Sequence, residues 1–385
     1  MSKFVERAHR VGQEVASRHV DSVDKEARFP REAFDALRDE RLLGMLIPRE
    51  LGGESATISD AVAVAHALGQ YCSATGMIFA MHQIQAACLA RHGLSSEGLR
   101  PVASRVARDQ LLLASATTET GVGGNVRESI CAVQAKGDRF TIEKQASVIS
   151  YGSHADGILA TARRSPDAAA SDQALAVLLA EDYTLEQTSG WDTLGMRGTC
   201  SNGYVLRAEA PLERLLPLPY ADISARTMLP VTHLTWAGMW LGIVTDAVAR
   251  ARAYVRADAR KRGSAPPAAL RLAELVAGLE GMQGHVEAAL ARFERASDSP
   301  DKLTAMSFAV AMNALKTSTS TRAVELVNEA MLICGINGYR NTGPYSLSRH
   351  LRDVYSAAIM VNNDRIMGNT SNYLLVLKDI PELNA

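Results

Sequence analysis

The sequence has no C-x-x-C pair, and its five cysteines (Cys72, Cys88, Cys131, Cys200 and Cys334) stand far apart. An odd count without close pairs argues against a disulfide framework and against a cysteine-built metal site, and fits a reducing cytoplasm. Charge of one sign is missing too. The formal net charge is −1, so no overall field draws the chain to nucleic acid or an anionic membrane. The opening MSKFVERAHRVGQEV is charged and lacks a secretory apolar core, so a cytoplasmic location is expected. Long apolar runs are nearly absent. The exception, Met228 to Thr245, carries Pro230 and His233 and continues into a charged helical pattern. A membrane span needs about 20 apolar residues, so this run reads as a helix buried in a large helical domain. The motifs G-x-x-x-x-G-K-[ST], G-x-S-x-G and H-E-x-x-H are all missing. No histidines or cysteines cluster at metal spacing, and a lone one such as His82 reads as a satisfied core residue.

What is present is a packed globular composition, 47% hydrophobic and 22% charged over 385 residues, enough for two or three cores. Residues 1–113 read as helices. Phe34, Leu37 and Leu42 recur at helical spacing, and Ser59 is placed to cap a long apolar helix broken near Cys72 to Gly76. Residues 114–217 change character to short alternating runs rich in Thr, Ser, Gly, Val and Ile. SICAVQAKGDRFTIEKQ gives a strand, a Gly-Asp turn and a strand, with DGILATARR and ALAVLLA as further strands. From 218 to 385 the helical period returns, in segments 232–262, 266–296 and 302–334 and a final helix from Ser348. The order predicts a multidomain α+β protein: an N-terminal helical domain, a middle β-barrel and a C-terminal antiparallel four-helix bundle.

The chemistry concentrates in ASATTETGVGGN, Ala114 to Asn125, which opens the β region. Its glycines let backbone N–H groups approach a ligand, and its hydroxyls can donate to a polar ring system. Alone it is as readily an ordinary strand and loop. About 30 residues on lies VISYGSHADGILATARR. Together these resemble the acyl-CoA dehydrogenase family, whose β domain opens with a T-E-P-G-x-G-S-D-like loop and later carries W-I-[ST]-N-G-x-x-A-[DN]. The matching stretches here are Thr118 to Asn125 and Val148 to Asp156. LGMRGTCSN, LGIVTDAVARARAYVRADARKR, AMLICGINGY and SRHLRD continue the likeness in the same order across essentially the whole chain.

The resemblance implies FAD, with its ring between the β domain and the C-terminal helices. Thr118 and Ser150 would meet the O2/N5 side, helped by Ser115, Thr117, Gly123, Val148 and Ile149. Arg260 and Gly335 would reach the FAD of a neighbouring subunit in a homodimer or homotetramer. The implied reaction is α,β-dehydrogenation of an acyl thioester, carried on CoA or a carrier protein, with a redox partner left open. The match breaks at the catalytic base. The family's two glutamate positions fall on Val361 and Thr232, and Asp364 is the nearest carboxylate, equally readable as a helix-surface residue. Val148 replaces a flavin-packing tryptophan, and Gly124 replaces a serine that faces substrate, as Thr232 also would. A flavin monooxygenase or N-hydroxylase on the same fold, which needs no carboxylate base, is the alternative; a non-catalytic descendant is a third.

Overall fold

The structure, a computed structural model, describes residues 2–378. Six helices come first: α1 Lys3–Val11, α2 Ser17–Lys25, α3 Arg31–Asp39, α4 Ile58–Gly69, α5 Ser73–His92 and α6 Leu99–Arg108. The cap of α4 is Thr57, not Ser59. Its side chain accepts from the Asp60 N–H while Asp60 reaches back to the Thr57 N–H, the reciprocal box that a Thr three residues before an Asp allows. Ser59 instead bonds Glu294. The expected break of the apolar stretch falls slightly earlier, at residues 70–72.

Seven strands follow: β1 Leu113–Ala116, β2 Gln134–Lys136, β3 Arg139–Ile149, β4 Gly157–Arg163, β5 Gln173–Leu179, β6 Tyr183–Ser189 and β7 Asn202–Pro211. They form two sheets, ordered β1-β4-β5 and β2-β3-β7-β6. All pairs are antiparallel except β1 with β4. β3 alternates buried and exposed residues, the pattern of a sheet with one wet face, whereas β5 is buried throughout.

The C-terminal helices are α7 Tyr220–Ile223, α8 Leu229–Arg262, α9 Ala268–Ala296, α10 Pro300–Thr304, α11 Met306–Cys334, α12 Ile336–Tyr339, α13 Ser348–Val354 and α14 Asn363–Leu374. The bundle is built from α8, α9 and α11, with α14 on α11. The apolar run from Met228 lies in α8, which is buried along most of its length. Among the described residues no helix is long and apolar enough to cross a membrane. The final helix expected from Ser348 is in fact two, because residues 355–362 form turns. Val361 sits there at φ 49°, a left-handed conformation costly for a β-branched residue. The buried Lys316 ammonium holds it, donating to the Val361 carbonyl and to Asn363 Oδ1, both at 2.6 Å.

Two contacts tie the β region to the bundle. Asp353, buried at the end of α13, accepts the Met196 N–H at 2.7 Å. Arg352 pairs with Asp24 and donates to the Leu194 carbonyl. Between them the backbone comes so close that a Cβ on Gly195 would lie 2.1 Å from the Arg352 carbonyl oxygen. Only glycine fits there. The SRHLRD motif is therefore a clamp between domains.

Candidate active site

A cavity of about 520 Å³ opens where β1, the 148–150 and 191–201 segments, α5, α8 and the turn after α13 converge. Ser115 is the penultimate residue of β1, and the chain carries Thr117 onward on the same side. Thr118 Oγ1 donates to the Val148 carbonyl at 3.0 Å, which joins the two stretches that the sequence separates by 30 residues.

Three hydroxyls form a chain beside them. Thr199 Oγ1 lies 2.9 Å from the Met196 carbonyl, Ser201 Oγ is 2.9 Å from Thr199 Oγ1, and Ser150 Oγ is 2.8 Å from Ser201 Oγ. A carbonyl only accepts, so the Thr199 proton is committed to Met196. Ser201 must then donate to Thr199, and Ser150 to Ser201. Ser150 is left with lone pairs for whatever sits in the cavity.

Of the residues singled out in the sequence, Ser115, Thr117, Thr118, Val148, Ser150, Thr232 and Val361 line this cavity. Ile149 is next to it with its side chain in the core. Gly123 and Gly124 lie just outside with φ of 57° and 75°, and Arg365 donates to the Gly123 carbonyl, pinning the loop to α14. Arg260 in the last turn of α8 and Gly335 after α11 are exposed on the helical domain, away from the cavity. Asp364 is not brought in. It lies exposed in the first turn of α14, where Asn362 Oδ1 accepts its N–H at 2.7 Å.

Among the described residues no aspartate or glutamate lines the cavity. Its one full charge among the described residues, Arg352, is already paired with Asp24. The wall is apolar and rich in methionine, interrupted by Gln85, His233 and Trp236. Burial pushes His233 down to about 4, with the Lys316 charge acting in the same direction, so its ring is neutral. Burial also lowers Lys316, to about 8.

Sequence reasoning missed several of these groups. Glu119, quoted only as a motif letter, is buried and paired with fully buried Lys144 at 3.1 Å. It also accepts the Ile130 and Cys131 N–H groups, which fixes the loop after the glycines. The hydroxyls at 199 and 201 were visible as an i, i+2 pair in TCSN. For Gln85, His233 and Trp236 no sequence signal existed beyond polar letters in apolar helices.

The comparisons with known proteins fall on this frame. Residues 2–97 match the acyl-CoA dehydrogenase N-terminal domain, and residues 223–371 match its C-terminal domain. The chain belongs to the acyl-CoA dehydrogenase family. It is thus a flavoenzyme of an oxidoreductase family. One curated relative is the amino sugar nitrososynthase DnmZ of Streptomyces peucetius, 27% identical over 88% of this chain and 84% of that protein. Another is the cyclohex-1-ene-1-carbonyl-CoA dehydrogenase of Syntrophus aciditrophicus (strain SB), 25% identical over 92% of this chain and 84% of that one. The FMN-bound structure of TdsC from Paenibacillus sp. A11-2 superposes with a TM-score of 0.86 at 18% identity, covering 100% of both chains. Proteins named as dehydrogenases and proteins named as monooxygenases stand side by side among the relatives.

The residues present fit a flavin ring. The hydroxyl residues Ser115, Thr117, Thr118, Ser150, Thr199 and Ser201 line the cavity together with Val148, whose small side chain leaves more room than an aromatic ring would.

Proposed function

We propose that this enzyme is a flavin-dependent monooxygenase or N-hydroxylase that uses O2 and reduced FAD. The observation that carries the reading is a cavity that no carboxylate lines among the described residues. Abstraction of an acyl α-proton needs an ionised base in contact with the α-carbon. Both positions where the family keeps that base do line the cavity, but as Val361 and Thr232. Thr232 Oγ1 is itself committed, donating to the Met228 carbonyl at 2.6 Å. For dehydrogenation, Asp364 would have to leave its capped position and turn inward, with Lys316 holding the turn before it in place.

Bound reduced flavin supplies two electrons and two protons, so that one atom of O2 enters the substrate and the other leaves as water. The chain's own part is positional. Ser150, its proton committed to Ser201, would hold the ring by accepting from a donor group on it. Thr118, donating to Val148, offers lone pairs beside it. The methionine-lined wall keeps water from the reacting face. The adenosine part of FAD would extend to Arg260 and Gly335 of a second copy, which makes the working form a homo-oligomer.

Anaerobic mixing with butyryl-CoA and longer acyl-CoA esters should leave the protein-bound flavin oxidised. The same protein loaded with reduced flavin should consume O2. Rapid flavin bleaching by any acyl thioester would overturn the reading and restore dehydrogenation.

A further inference from the structure

We infer that His233 sets the substrate class: its bare imidazole lone pair selects an uncharged, mainly apolar molecule that carries an N–H or O–H donor. The inference rests on this cavity being the substrate site, as proposed above.

The tautomer follows from one contact. His233 Nδ1 lies 2.9 Å from the Met312 carbonyl oxygen. A carbonyl cannot donate, so Nδ1 carries the proton, and in a neutral ring Nε2 is then an acceptor only. Neutrality is imposed by burial and by the nearby Lys316 ammonium. Nε2 has no partner among the described residues, yet it is not sealed off as His350 Nδ1 is. Since His233 lines the cavity, the lone pair is open to a ligand. A ring that resists protonation this strongly is a poor base, so it positions a donor group and does not remove its proton.

The surroundings narrow the class further. Two other lining residues do not compete: Gln85 Oε1 and Trp236 Nε1 lack partners but are sealed off as His350 Nδ1 is, so neither can meet a ligand in the cavity. The remaining wall is methionine and other apolar surface, which accommodates varied shapes. A cationic substrate would meet no carboxylate. An anionic one would face the His233 lone pair, while the only arginine in the lining is already paired.

The test uses two fused-ring probes of equal size, indole and 1-benzothiophene, of which only indole has an N–H. Calorimetric titration of the flavin-loaded protein should show indole binding about three- to tenfold tighter, the worth of one neutral hydrogen bond. His233→Phe should erase the difference. His233→Gln, whose amide can donate to Met312 and still accept in the cavity, should keep part of it. Equal affinities in the wild type, or an indole preference that survives His233→Phe, overturns the inference. Nitrogen NMR of labelled histidine reads the same contact without any variant: the His233 Nε2 signal should move with indole and stay with benzothiophene. No movement with indole also overturns it. Equal affinities in the wild type with O2 consumption intact sink only the role of His233. Flavin reduction by an acyl thioester with discrimination intact sinks only the oxygen-using reading.

Discussion

The direction of a hydroxyl chain is decided by its fixed end. Here the end is the Met196 carbonyl, and its own N–H is held by buried Asp353. The polarity of Ser150 is thus set from the other end of the hydroxyl chain, through Ser201 and Thr199. An acceptor at the flavin edge favours the reduced ring, which carries an N–H at N5, over the oxidised ring, which offers a lone pair there. Ser201→Ala would free the Ser150 proton to turn and donate. We expect this variant to lower the preference for reduced over oxidised flavin by about tenfold, close to the ~1 kcal/mol of a neutral hydrogen bond. For a two-electron couple that is about a 30 mV fall in midpoint potential. Ser201→Thr should retain the wild-type potential. A midpoint that does not move in Ser201→Ala would show that Ser150 does not face N5. At this scale the sequence was informative in part. Thr118 and Ser150 were legible because a motif carries them. The polarity of Ser150 was not, because it depends on residues 51 positions away in chain order.

Elements place these residues, and α8 places the most. Its cavity face carries Thr232, His233 and Trp236. Its opposite side lies against α4 at backbone contact. A Cβ on Gly242 would stand 2.2 Å from the His66 carbonyl oxygen, and one on Gly69 would stand 2.6 Å from that of Met239. The stretch Met239 to Gly242 is therefore a crossing point that sets how deeply α8 sits, and so where His233 ends up. Gly242→Ala should force the helices apart and cost about 1–3 kcal/mol, or more since the clash is with backbone. Gly281→Ala, in α9 with nothing within 4 Å of its Cβ, should instead be neutral or stabilise by about 0.5–1 kcal/mol. Urea midpoints for the pair check the contrast; equal effects would mean the crossing is slack. The helix-strand-helix order was readable because periodicity is local. The split between α13 and α14 was not, because Lys316, 45 residues from Val361, holds the intervening turn. The cap at Thr57 was within reach, since Asp60 completes its box, but Ser59 stood nearer the apolar run.

At the scale of the whole molecule, several histidines work as neutral staples between parts far apart in the chain. His82 is the clearest. Its Nε2 faces the Leu43 carbonyl at 2.8 Å while its Nδ1 accepts the Leu113 N–H at 2.9 Å. Only the neutral ring with the proton on Nε2 can do both, and this one residue joins the first helical domain to β1. His66 meets Thr245 across α4 and α8, His92 meets Thr227, and His350 donates to Asp246. Burial is the leading cause that pushes each of these four, and His233, down from 6.5 to about 4. The sign follows directly. A base whose folded pKa is lowered takes up its proton in the unfolded chain first, so unfolding absorbs protons between those two values. The stability is fully present above about pH 6.5 and is lost as pH falls towards 4. Carboxylates held low act later. Glu54, bonded by Arg7, and Asp246, bonded by His350, both sit at about 2, so their contributions fade only below the ordinary carboxylate range. Loss of stability on acidification should therefore begin with the histidines. The first urea transition should move steadily to lower urea from pH 6.5 to 5, with net proton uptake on unfolding measured by calorimetry in two buffers at pH 5.5. His82→Gln, whose amide can donate to Leu43 and accept from Leu113, should keep the fold while reducing that uptake. A transition that stays flat from pH 7 to 5 would show that the staples titrate in the native state as they do in the unfolded chain. The junctions would then owe their strength to packing alone.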